Sequence, residues 1–69
     1  MVKITTQDYI GMTVLEVIRI ETVKKEYGGL FSESFMVSLN NKLVSEKDYN
    51  NVVIQEKDIL NLIPLYVGG

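Results

Sequence analysis

Cysteine and histidine are both absent from this chain of 69 residues, and arginine and proline occur once each, at Arg19 and Pro64. Without cysteine there is no disulfide scaffold and no thiolate nucleophile; without histidine there is no His-based triad and no ordinary Cys/His zinc site. No metal ligand set is expected. Basic charge is also scarce: seven Lys+Arg stand against nine Asp+Glu, for a net charge of −2. Nucleic-acid binders need a basic stripe, so no nucleic-acid partner is expected. No apolar run approaches the ~18 residues of a membrane span, and the first residues lack the apolar core of a signal peptide. No membrane association is therefore expected, and a cytoplasmic location is.

What is present describes one small globular domain, residues 1–69. Hydrophobic residues make up 46% of the chain, with Ile, Leu and Val recurring from end to end. A domain of this size buries only about 60% of its unfolded surface, so its core has to be economical.

Met1–Thr6 alternates, with Val2 and Ile4 on one side and Lys3 and Thr5 on the other, which predicts a short strand. Gln7–Met12 is a connection punctuated by Gly11. Thr13-Val14-Leu15-Glu16 reads as a capping box, in which the Thr13 hydroxyl and the Glu16 carboxylate satisfy each other's backbone N–H groups. Val14, Val17 and Ile18 follow at helical spacing. The β-branched run Val17–Val23 weakens the helical signal, and Lys24-Lys25 with Gly28-Gly29 suit a C-terminal cap, so the helix is expected to end between Thr22 and Tyr27. Ser34–Asn40 alternates, Asn40-Asn41 marks a tight turn, and Lys42-Leu43-Val44 returns, which predicts a hairpin. The last strand is expected over Ile59–Val67, with pairing stopped or shifted at Pro64, which has no N–H to donate.

This order predicts an α+β domain with one main helix packed on one face of a small mixed sheet. Val2/Ile4, Phe35/Val37/Leu39 and Leu60/Leu62 face the helix. Strand parity then puts Ile63, Leu65 and Ile59 on the outer face beside Met36, an apolar patch of the kind that binds partners.

The sequence offers no side-chain constellation for catalysis. Glu16, Asp48, Glu56 and Asp58 have no partner motif and read as caps and solvated charges, and neither glycine pair fits a phosphate loop. The informative feature is Gly68-Gly69, directly after a hydrophobic strand. Two terminal glycines arise by chance in about one chain in two hundred, at roughly 7% glycine per position. Such a pair is a slender arm without side chains that can thread a narrow channel and present its carboxylate.

In these pieces the chain resembles the β-grasp, ubiquitin-like sulfur carriers of the ThiS/MoaD group. Gly11-Met12-Thr13-Val14 with Glu16 leads into the helix. Leu39-Asn40-Asn41-Lys42-Leu43-Val44 stands for the group's V-N-G-x-x-V hairpin, and Val67-Gly68-Gly69 closes the match. Three departures stand out: a shortened opening hairpin, a longer stretch through Glu21–Ser34, and Glu56-Lys57-Asp58 where an Asp-Gly-Asp turn is usual.

The resemblance implies a carrier rather than an enzyme. The Gly69 carboxylate would be adenylated by a ubiquitin-activating-enzyme-like adenylyltransferase that uses ATP, with no cofactor bound to the carrier itself. A sulfurtransferase would convert it to a thiocarboxylate, and a synthase would accept the sulfur. Gly68 and Val67 form the exposed tail, and Ile63, Leu65 and Met36 the partner face. Thiazole formation for thiamine, with thiazole synthase as acceptor, is the favoured pathway. The alternatives are the small-subunit role in molybdopterin synthase, opposite its large subunit, and a ubiquitin-like protein modifier or interaction module.

Overall fold

The computed structural model describes residues 1–65. Its elements are β1 (Val2–Ile4), a 3-10 turn (Thr6–Tyr9), α1 (Val14–Glu21), a second 3-10 turn (Lys25–Tyr27), β2 (Phe35–Leu39), β3 (Lys42–Val44), a third 3-10 turn (Glu46–Asp48) and β4 (Leu60–Pro64). The strands form one sheet in the order β1-β4-β2-β3. The expected α+β β-grasp architecture is therefore present, with β4 in the interior of the sheet between β1 and β2.

One feature of the sheet corrects the sequence reading: among the described residues every pairing is antiparallel, so the sheet is not mixed. The opening hairpin is reduced to the single strand β1. The connection Thr5–Met12 is short and partly spent in a 3-10 turn. Within it the Thr6 hydroxyl donates to the Asp58 carbonyl at 2.6 Å, just before β4 begins. The one strand that remains before the helix runs opposite to β4.

The start of α1 is fully accounted for. Thr13 Oγ1 accepts from the Glu16 N–H, and the Glu16 carboxylate accepts from the Thr13 N–H at 3.0 Å, so the capping box is formed. The two N–H groups between them go to a neighbouring loop: Val14 donates to the Val52 carbonyl and Leu15 to that of Tyr49, both at 2.9 Å. All the donors a helix leaves free in its first turn are thus used by this chain. The helix stops at Glu21 with Thr22 as its cap, earlier than expected. The β-branched run supports only two turns, and Gly28, in the left-handed region at φ 52°, closes the following 3-10 turn instead.

Val14, Val17 and Ile18 of α1 join Ile4, Val37, Leu60 and Leu62 of the sheet in one core, together with Phe31 and Ile54. Burial of each such side chain is worth about 1.5–3 kcal/mol. Phe31 comes from the long segment between α1 and β2 and stacks edge-on with Tyr27 (ring centroids 5.4 Å apart) and Phe35 (5.6 Å). Among the described residues no helix is long and apolar enough to cross a membrane.

Candidate functional site

Two core residues aim β4. Leu60 and Leu62 are completely buried on the face covered by α1, and their neighbours Asn61 and Ile63 therefore face the other way. The register sets Ile63 directly opposite Met36 of β2, both half-buried on the outer face. The next outward row runs Lys3, Asn61, Ser38, Leu43, in which Leu43 is 65% exposed. Leu65 is 39% exposed and Ile59 43%, one at each end of β4. Met36, Ile63 and Leu65 thus lie along one side of the two central strands, at the end where β4 leaves the sheet.

β4 ends at Pro64, where the pairing is expected to stop, and one more backbone bond to β2 follows it. Asn40 donates to the Ile59 carbonyl at 2.8 Å and Leu65 to the Ser34 carbonyl at 2.9 Å. The odd-numbered positions of β4 therefore turn their backbone groups toward β2, and the even-numbered ones toward β1. Val2, where β1 begins, already pairs with Leu62. Position 64 has no opposite number on β1, so a proline there removes no ladder bond. The chain stays bonded to β2 as far as Leu65.

The residues that follow include Val67, Gly68 and Gly69, the tail expected to carry the chemistry, and these lie outside the described residues. Beside the start of β2 a shallow depression is lined by Glu33, Ser34, Phe35, Glu46 and Tyr49. Burial, with a smaller contribution from Glu46, pushes the Tyr49 hydroxyl above its usual pKa.

A polar cluster that sequence reasoning did not find holds the opposite flank. Glu21 is only 3% exposed and accepts from the Tyr9 hydroxyl, from the Tyr27 hydroxyl at 3.2 Å, and from Lys24 Nζ at 2.6 Å. Burial pushes its carboxyl up, but the bonds from Lys24, Tyr9 and Tyr27 outweigh that and hold it below the usual glutamate range. The same contacts raise Tyr9, chiefly through its hydrogen bond to Glu21, while burial comes first in raising Tyr27. The signal was present: Glu21 continues the buried stripe Val14, Val17, Ile18 at helical spacing, where a carboxylate requires partners. Glu16 and Asp58, read as caps, do act so: Asp58 Oδ2 accepts from the Gln55 N–H at 2.7 Å. Among the described residues no three His, Cys, Asp or Glu side chains gather as a metal site requires.

No curated protein and no solved structure matches the chain at a significant level. A protein-family model does: that of the ThiS family, over residues 4–69.

Proposed function

The chain belongs to the ThiS family, whose members are small sulfur carriers, and from that premise we propose that its working group is the carboxylate of Gly69. A ubiquitin-activating-enzyme-like adenylyltransferase binds the outer sheet face through Ile63, Leu65 and Met36 and takes the tail Val67-Gly68-Gly69 into its channel. A Gly69 carboxylate oxygen bonds to the α-phosphorus of ATP and pyrophosphate leaves. The outer sulfur of a sulfurtransferase's cysteine persulfide attacks the acyl carbon and AMP leaves; a thiol reductant then cleaves the S–S bond of the resulting acyl disulfide, and a thiocarboxylate remains. A synthase accepts that sulfur, and we assign the step to thiazole formation in thiamine biosynthesis. The carrier supplies no catalytic side chain and binds no cofactor; the ATP belongs to the activating enzyme.

The observation that carries this reading is the placement of β4. An interior strand, anchored by Leu60 and Leu62 at 0% exposure, ends at Pro64 beside the apolar outer pair Ile63 and Met36. An arm that must enter another protein's channel needs a rigid base, because positioning of the reacting carbon is worth several orders of magnitude in rate.

Pyrophosphate exchange with the cognate activating enzyme tests the proposal. Exchange is expected with the unaltered chain and is expected to vanish when one residue is appended after Gly69, with the fold unchanged. Intact mass from the native host should show a gain of about 16 Da for oxygen replaced by sulfur at the activated acyl group. A protein-sized gain would identify a modifier, and undiminished exchange by the extended chain would overturn the carrier chemistry.

A further inference from the structure

We infer that the backbone bond from the Leu65 N–H to the Ser34 carbonyl is the fixed origin from which the reactive arm is measured, which makes Leu65 a positioning residue through its amide. This rests on the carrier reading above. The bond is 2.9 Å long and closes the β4–β2 ladder one position beyond Pro64. Position 64, although opposite Phe35, makes no backbone bond to β2, because its backbone groups turn to the other side. Beyond the Ile63–Met36 pair, this donor therefore makes the backbone bond that holds the end of β4 against β2 among the described residues. Its acceptor is well supported: Ser34 precedes Phe35, which the inserted segment braces through the Phe31 ring.

Four residues follow Leu65 in the sequence: Tyr66, Val67, Gly68 and Gly69. A chain advances at most about 3.3–3.6 Å per residue, so whatever path they take, the Gly69 acyl carbon reaches no more than about 16 Å from the Leu65 Cα. The nucleotide of the activating enzyme must then sit within that radius of the docked Leu65–Ser34 corner. If the bond were lost, the origin would retreat to Ile63, adding two residues of slack. Met36 and Ile63 keep their places on the partner face, so the slack spoils alignment more than docking and lowers kcat more than it raises KM.

The test compares Leu65→Pro, which removes the N–H, with Leu65→Ala, which shortens the side chain and keeps it. Relative to Leu65→Ala, Leu65→Pro should show a pyrophosphate-exchange kcat lower by about tenfold or more at similar KM, since a misplacement of about 1 Å can cost 100-fold. Equal kcat for the two overturns the inference while the carrier reading survives. If Leu65→Pro does not fold, one glycine inserted between Leu65 and Tyr66 takes its place; the same kcat loss is expected, and an undiminished kcat overturns the inference. Amide hydrogen exchange of the free chain gives a readout independent of the activating enzyme. The Leu65 amide should be protected, and exchange at the unstructured rate overturns the inference. Absence of pyrophosphate exchange by the unaltered chain overturns the carrier reading, and the positioning role with it.

Discussion

Lys57 holds its backbone in the left-handed region at φ 69°, in the turn closed by the Asp58 N–H on the Gln55 carbonyl. A side chain in that region costs about 1–2 kcal/mol, which glycine avoids. Lys57 is exposed. Lys57→Gly should therefore raise stability by about 0.5–1 kcal/mol, after the added freedom of the unfolded chain is subtracted. A urea midpoint that fails to rise would show the turn relaxed without strain. Asn40 and Asn41 also have positive φ, 52° and 67°, but both are residues that tolerate it. Asn40 adds a role glycine could not fill: its side chain accepts from the Ile59 N–H at 2.8 Å and donates to Asp58 at 3.0 Å, tying the hairpin turn to the base of β4. The Asn40-Asn41 turn and the Thr13 capping box were legible in the sequence because each is complete within a few residues. The tie to Asp58 was not, because its partners are 18 residues apart.

At the scale of elements, Glu21 joins three pieces: Tyr9 from the first 3-10 turn, α1 itself, and Lys24 and Tyr27 at the second turn. Its folded carboxyl titrates below the ordinary glutamate value of 4.5. Between the two values the unfolded chain holds the proton and the folded one does not. The stabilisation from Glu21 is thus complete above pH 4.5 and is lost as pH falls through the lower, folded value. Glu21→Gln should cost about 1–3 kcal/mol at neutral pH, the usual toll for weakening a buried charged hydrogen-bond set. It should also flatten the acid limb of the stability curve. Denaturation midpoints from pH 7 down to 3 measure both, and a parallel loss in variant and parent would assign the acid sensitivity to other carboxylates. The helix's start was readable from its cap, whereas its end was not. Lys24 looked like a C-terminal dipole partner and is instead the counter-charge of a buried acid, a tertiary fact invisible to local spacing.

For the whole molecule, strand parity was the most readable property. Alternation assigned Val37, Leu60 and Leu62 to the core, where they lie at 0–1% exposure. Strand direction was less so, because it depends on how many strands precede the helix, and alternation does not count strands. The same parity argument supports the last prediction. Leu65 lies past the last buried position of β4 and is 39% exposed, so a charge there meets water rather than the core. Its side chain does not make the bond to Ser34, which uses the backbone alone. Leu65→Asp should therefore keep the melting temperature within a few degrees of the parent, since exposed substitutions usually cost within about 0.5 kcal/mol. At the proposed partner face the same carboxylate would have to be desolvated beside Ile63 and Met36, and burying an unpaired charge costs several kcal/mol. Binding to the activating enzyme, followed by titration calorimetry, should weaken by about tenfold or more, because each 1.4 kcal/mol is a factor of ten. A folded Leu65→Asp chain that binds with parental affinity would remove Leu65 from the partner face and move docking to another surface. A chain that unfolds would place the Leu65 side chain in the core, with the strand parity reversed.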